Sequence, residues 1–166
     1  DFLAATARKH GIWLVGGSLP LVAAEACKVL NSCLVFDPRG ERVARYDKIH
    51  LFGFQKGAER YNESATIEAG SQPVVFDAPF GRVGVSICYD IRFPELYRAQ
   101  GAVDLQIIPA AFTETTGRAH WEILLRARAI ENQCYVLAVA QGGKHENGRE
   151  THGNSMLIDP WGEVIA

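Results

Sequence analysis

The chain has 166 residues, 48% hydrophobic and 22% charged, the balance of a folded globular domain and not of a disordered segment. Its formal net charge of −2 is too small to argue for nucleic acid or a membrane surface as a partner, and no apolar run reaches the length of a membrane span. Cys27, Cys33, Cys88 and Cys134 are scattered without a C-x-x-C pair, which argues against a disulfide framework or a thiolate zinc site and fits a soluble, cytoplasmic protein.

In chain order, "DFLAATARKH" reads as the later turns of a helix already under way, with no initiator Met, and "GIWLVGGSLP" reads as a short buried strand closed by Gly-Gly and Pro. "NSCLVFDPRGERVARYDKIHL" predicts two strands around a tight reversal at Asp37-Pro38-Arg39-Gly40. Residues 53–72 are rich in Gly and charge and predict a long loop. "PVVFDAPFGRVGVSIC" repeats the hairpin pattern with its turn at Pro79-Phe80-Gly81-Arg82, and a helix is expected to begin near Phe93-Pro94. "VDLQIIPAAF" and "CYVLAVAQGG" predict buried strands on either side of the helix "GRAHWEILLRARAIENQ", whose Trp121, Leu124, Leu125 and Ile130 recur at helical spacing. A last hairpin turns at Asp159-Pro160-Trp161-Gly162, and the chain stops inside its second strand. Strands alternating with helices, together with hairpins, predict an α/β layered fold with a mixed sheet.

Cys88 follows the alternating Val83, Val85 and Ile87, and the strand pattern ends abruptly after it in Asp90, Arg92 and Pro94. A thiol at such a junction is held rigidly and can face a substrate, and a nearby helix start or Arg92 would favour its thiolate. A buried structural thiol is the alternative, and local pattern leaves both open. Cys33 and Cys134 lie in or beside apolar strands and read as packing, while Cys27 has no assignable setting. Lys48, between Tyr46 and Ile49, sits where a lysine is costly unless it is paired or faces a cavity; a lysine on the solvent face of an edge strand is the other reading. His50 and His120 lie in no protease-like motif, the five histidines show no metal-ligand spacing, and neither Gly-Gly pair fits a phosphate loop.

"YDKIHLF", "GRVGVSICYDIRFPELYR", "PAAFTETTGRAHWEILLRARAIENQCYVLAVAQ" and "GNSMLIDPWGEV" together resemble the nitrilase, or carbon–nitrogen hydrolase, superfamily across essentially the whole chain and in the family's order. Among its branches the chain is most similar to the Nit amidases, especially the deaminated glutathione amidase group, with the ω-amidases that take α-ketoglutaramate close behind. The resemblance implies a four-layer αββα sandwich, a Glu-Lys-Cys triad, no cofactor or metal, a small amide substrate and a homodimer or higher homo-oligomer. By motif, Cys88 matches the nucleophile, Lys48 the lysine, and the Tyr89 backbone N–H an oxyanion donor. Glu63, Phe112 and Thr116 match pocket positions, and Arg92 matches a position that contacts a substrate carboxylate in some relatives.

The family's general-base glutamate belongs to a segment before anything that matches Asp1, and none of Glu25, Glu63, Glu95, Glu122 or Glu131 lies in its motif context. Residues 1–166 are therefore expected to be one partial domain that lacks that segment and a C-terminal tail, inactive as a fragment of an active amidase. A non-catalytic binding module of the same fold is the alternative. Glu95, Glu122 and Glu131 read as caps or ion pairs.

Overall fold

The computed structural model describes residues 2–57 and 59–166, so Asp1 of the expected first helix and Ala58 of the expected 53–72 loop lie outside the described residues. The chain divides into two units, residues 1–74 and 75–166.

The first unit is organised by one long strand. β3 (Val29–Phe36) pairs antiparallel with β1 (Leu14–Val15), β2 (Leu19–Val22) and β4 (Arg42–Asp47), and parallel with β7 (Ile67–Glu68). The single strand expected over "GIWLVGGSLP" is instead two short, partly exposed ones, because Gly17 takes φ +65° and interrupts the extended run. The β3–β4 reversal falls at Asp37–Gly40 as expected, held by the Asp37 carboxylate, which accepts from the Arg39 and Glu41 backbone N–H groups at 2.9 Å each. Helix α1 (Phe2–His10) docks there: Arg8 Nε donates to the Arg39 carbonyl at 2.8 Å, and a Cβ on Gly40 would meet the Ala4 carbonyl oxygen at 2.4 Å.

The expected loop over 53–72 is overturned. It holds the hairpin β5 (Gly53–Lys56) and β6 (Glu59–Asn62), a 3-10 turn at Glu63–Ala65, and β7. Charge hid a period-two pattern in which Phe54 pairs with Tyr61 across the strands, while Phe52 packs on both rings at 6.1 and 5.5 Å. Gly57, with φ +59°, supplies the left-handed turn residue that such a hairpin requires.

The second unit contains a mixed five-stranded sheet in the order β14 (Met156–Ile158), β11 (Tyr135–Ala140), β10 (Leu105–Ala110), β9 (Gly81–Val85), β8 (Val74–Ala78). β9, β10 and β11 run parallel and β14 antiparallel, as the mixture of helices and hairpins predicts. α2 (Pro94–Gln100) and α3 (Glu114–Asn132) are the crossovers, and β12 (Gly142–Lys144) pairs with β13 (Glu150–His152) beside them. The closing reversal at Asp159–Gly162 forms, and Ile158 bridges Val164. Val83, Val85, Ile108, Val136, Ala138 and Ile158 are fully buried, each contributing about 1–3 kcal/mol of hydrophobic stabilisation according to size.

α3 begins three residues before the expected Gly117, because the Thr113 hydroxyl caps it by accepting the Thr116 N–H at 3.2 Å. It ends at Gln133, in a left-handed conformation with φ +53°. Trp121 and Leu125 are buried as the spacing predicts, Leu124 is only half-buried, and Ile130 is exposed. The buried stripe runs instead through Arg128 and Ala129.

Candidate active site

In the second unit, β9 delivers the chain to a 3-10 turn at Cys88–Arg92, and the junction is fastened from beneath by buried polar groups. The Ile87 N–H donates to Asp90 Oδ2 at 2.9 Å, and the Asp90 N–H donates back to the Ile87 carbonyl at 3.1 Å. Between these two residues Cys88 adopts φ +53°, a left-handed conformation that is costly for a side chain bearing a Cβ. Cys88 and Tyr89 are half-exposed, while Ile87 before them and Asp90 after them are buried.

Three further contacts brace this turn. Ser86 Oγ and Tyr97 Oη hydrogen-bond at 2.9 Å, and burial pushes the Tyr97 hydroxyl well above its usual pKa, so it stays protonated. Arg128 Nε donates to the Ile91 carbonyl at 2.8 Å, its guanidinium lies 5.4 Å from the Tyr97 ring centroid, and it pairs with Glu131. Gln100 Nε2 donates to the Val85 carbonyl at 2.9 Å, and Gln100 Oε1 accepts from Gln106 Nε2 at 2.8 Å. A Cβ on Gly84 would lie 2.5 Å from Gln106 Oε1, so the Gln106–Gln100 pair needs glycine there.

Arg92 closes the same turn. Its guanidinium lies over the rings of Tyr89 and Phe112, at 5.6 and 5.5 Å from the centroids, and its NH2 contacts His120 Nδ1 at 3.2 Å. Tyr89 packs edge-on against Phe93, and Phe112 is buried against Trp121 with centroids 4.8 Å apart. Thr116 lies in the first turn of α3, with its hydroxyl bonded to that of Thr113 at 2.9 Å. Cys88, Tyr89, Arg92, Phe112 and Thr116 thus all belong to this unit.

Lys48 and Glu63 belong to the first unit. Lys48 directly follows β4, is 1% exposed, and its ammonium donates to Glu63 Oε2 at 2.5 Å; it is not a solvent-facing lysine on an edge strand. The same carboxylate oxygen accepts the Phe52 N–H at 2.7 Å. The Lys48 backbone is pinned too, its N–H bonded to the Asn31 carbonyl and its carbonyl accepting from Gly70, each at 2.8 Å.

Burial pushes the Cys33 thiol up to about 12 and the Cys134 thiol up to about 11, in keeping with their packing role. Cys27 is exposed in the turn between β2 and β3. Among the described residues no group of three or more His, Cys, Asp or Glu is arranged to hold a metal ion, and no helix is long and apolar enough to cross a membrane.

Cys88 thus stands half-exposed in a left-handed conformation at a strand end, on an α/β scaffold braced by buried polar contacts. The chain belongs to the carbon–nitrogen hydrolase family, which matches residues 1–166. It is 50% identical over 165 residues to the deaminated glutathione amidase of Yersinia enterocolitica, covering 96% of this chain and 57% of that protein. It is 44% identical to omega-amidase NIT2-A of Xenopus laevis, covering all of this chain and 60% of that protein. The crystal structure of the Caenorhabditis elegans NitFhit protein superposes with a TM-score of 0.89 at 49% identity, over 98% of this chain and 41% of that one. That likeness bears out the nitrilase-type α/β fold. The chain spans about three fifths of the length of the two amidases it matches.

Proposed function

We propose that the protein hydrolyses the amide bond of a small acidic substrate through a Cys88 thioester, with deaminated glutathione as the preferred substrate. The observation that carries the reading is the left-handed Cys88 that directly follows the buried Ile87 yet is itself half-exposed, a strained position that a packing thiol does not require. Membership of the carbon–nitrogen hydrolase family and the relatives' amidase names support it.

In the proposed route the Cys88 thiolate attacks the amide carbonyl, the amine leaves with a proton, and water then cleaves the thioester to release the acid and restore the thiol. The Lys48 ammonium and the Tyr89 N–H stabilise the developing oxyanion. Glu63 holds Lys48 in place, and Phe112 and Thr116 border the substrate. We assign the general base to a glutamate outside residues 1–166, which makes this stretch a partial domain of the family. Oxidative loss of the γ-glutamyl amino group leaves a 2-oxo acid, so deaminated glutathione and α-ketoglutaramate present the same acidic acyl group and differ only in the amine that departs. Arg92 receives the carboxylate of that acyl group.

The 44% identity to an omega-amidase keeps α-ketoglutaramate as the second reading. Side-by-side rates on the two substrates with the complete gene product decide between them. A kcat/KM at least tenfold higher for deaminated glutathione is expected; the reverse order makes the protein an omega-amidase, and turnover of neither leaves a binding module. We also propose a cytoplasmic homodimer, for which sedimentation at twice the monomer mass is the test.

A further inference from the structure

The Arg92 guanidinium has more donors than the protein uses. It carries five N–H groups, yet among the described residues its one hydrogen-bond contact is to His120 Nδ1 at 3.2 Å and no carboxylate pairs with it. Its central carbon lies over the rings of Tyr89 and Phe112, at 5.6 and 5.5 Å from the centroids, contacts that hold its charge in place without supplying an anion. An arginine held over two aromatic rings and left without an anion is placed to receive one at its edge.

We propose that His120 is a positioning residue for carboxylate recognition, setting the rotation of the Arg92 guanidinium within the Tyr89–Phe112 clamp. This rests on the reading of Arg92 as the receiver of the substrate carboxylate. With its proton on Nε2, the imidazole accepts one N–H of Arg92 NH2 at Nδ1. Whichever NH2 hydrogen is used, one two-pronged edge of the guanidinium remains for a bidentate carboxylate. The two ring contacts are non-directional and hold the position of the charge, and the directional His120 contact adds the restraint on its rotation. The cost of ordering Arg92 is then met before substrate arrives, which lowers KM without touching the reacting bond. His120 comes from the second turn of α3 and Arg92 from the end of the nucleophile turn, so one hydrogen bond links the anion receiver to the element that carries Trp121 and Arg128.

The test uses the complete gene product as wild type, Arg92→Ala, His120→Ala and His120→Asn, with α-ketoglutaramate as the acidic amide and butyramide as the neutral one. Calorimetric binding of glutarate runs in parallel. His120→Ala is expected to raise KM for α-ketoglutaramate and Kd for glutarate about tenfold, the worth of one orienting hydrogen bond to a charged group, with kcat and butyramide kinetics within twofold of wild type. His120→Asn, whose Oδ1 stands where Nδ1 stood, is expected to recover most of the loss. An equal effect on both amides, a fall in kcat alone, or no recovery by asparagine would overturn the proposal. Wild type that turns over neither amide refutes the amidase reading; the glutarate titration still decides His120, because Kd must then rise in His120→Ala and return in His120→Asn.

Discussion

Replacing Glu63 with alanine removes two supports at once. The Lys48 ammonium, 1% exposed, loses its partner at 2.5 Å, and the Phe52 N–H loses its acceptor at 2.7 Å. Deleting one member of a buried ion pair costs about 3–5 kcal/mol, because the remaining charge stays desolvated. The Glu63 side chain keeps 26% exposure, so water reaches the vacated place and the lower end, about 3 kcal/mol, applies. The lost amide bond adds about 1 kcal/mol, for a total of about 4 kcal/mol. Glu63→Gln keeps one carbonyl acceptor and is expected to cost about half as much. A double change of Lys48→Met with Glu63→Leu leaves no buried charge, and most of the loss is expected to return. Urea unfolding of the complete gene product measures all three. A Glu63→Ala penalty below about 1 kcal/mol, or a double variant no better than the single one, would refute the view that this pair is what makes a buried Lys48 tolerable.

Three other outcomes follow from the same geometry. Arg128→Leu removes the side-chain donor to the Ile91 carbonyl and the ion-pair partner of Glu131, and is expected to cost about 3 kcal/mol in urea unfolding and to lower kcat more than it raises KM; full activity would mean the brace does not set the Cys88 turn. Hydrogen bonds from Arg118 and then His152 hold the Glu114 carboxyl below its usual range, so their stabilisation is present above about pH 4.3 and fades as pH falls through the lowered value. Glu114→Gln should therefore flatten the acid side of the thermal-midpoint profile, and an unchanged profile would count against the pair. Iodoacetamide at pH 8 should modify Cys88 and Cys27 in the native protein, as read by peptide mass spectrometry, and spare Cys33 and Cys134 until denaturant is added. Native labelling of Cys33 would contradict its assigned burial.

Much of this was legible in the residues because local signals agreed with tertiary demands. The Asp-Pro-x-Gly reversals, the Pro94 helix start and the 3.6-residue spacing of Trp121 and Leu125 all appear where their chemistry predicts. The β5–β6 hairpin was not legible, since its strands are polar on both faces and only the Phe54–Tyr61 pair marks the register. Ile130 misled because helical spacing shows which residues share a face but not where that face meets solvent. Lys48 announced itself as an anomaly, yet its partner lay 15 residues away in the segment read as a loop. The brace of Ser86, Tyr97, Gln100, Gln106 and Arg128 was missed altogether. Each is unremarkable in sequence, and the available signal, a polar residue inside an apolar run such as Gln106 in "LQIIPA", has no partner until the sheet is assembled.

In the proposed reaction Cys88 is the acyl acceptor. Rapid quenching of the complete gene product during turnover of α-ketoglutaramate, followed by peptide mass spectrometry, tests it directly. An α-ketoglutaryl adduct, the mass of the amide less ammonia, is expected on the Cys88 peptide, and both the adduct and ammonia release are expected to be lost in Cys88→Ser. Ammonia release that survives in Cys88→Ser, or an adduct on any other residue, would contradict it.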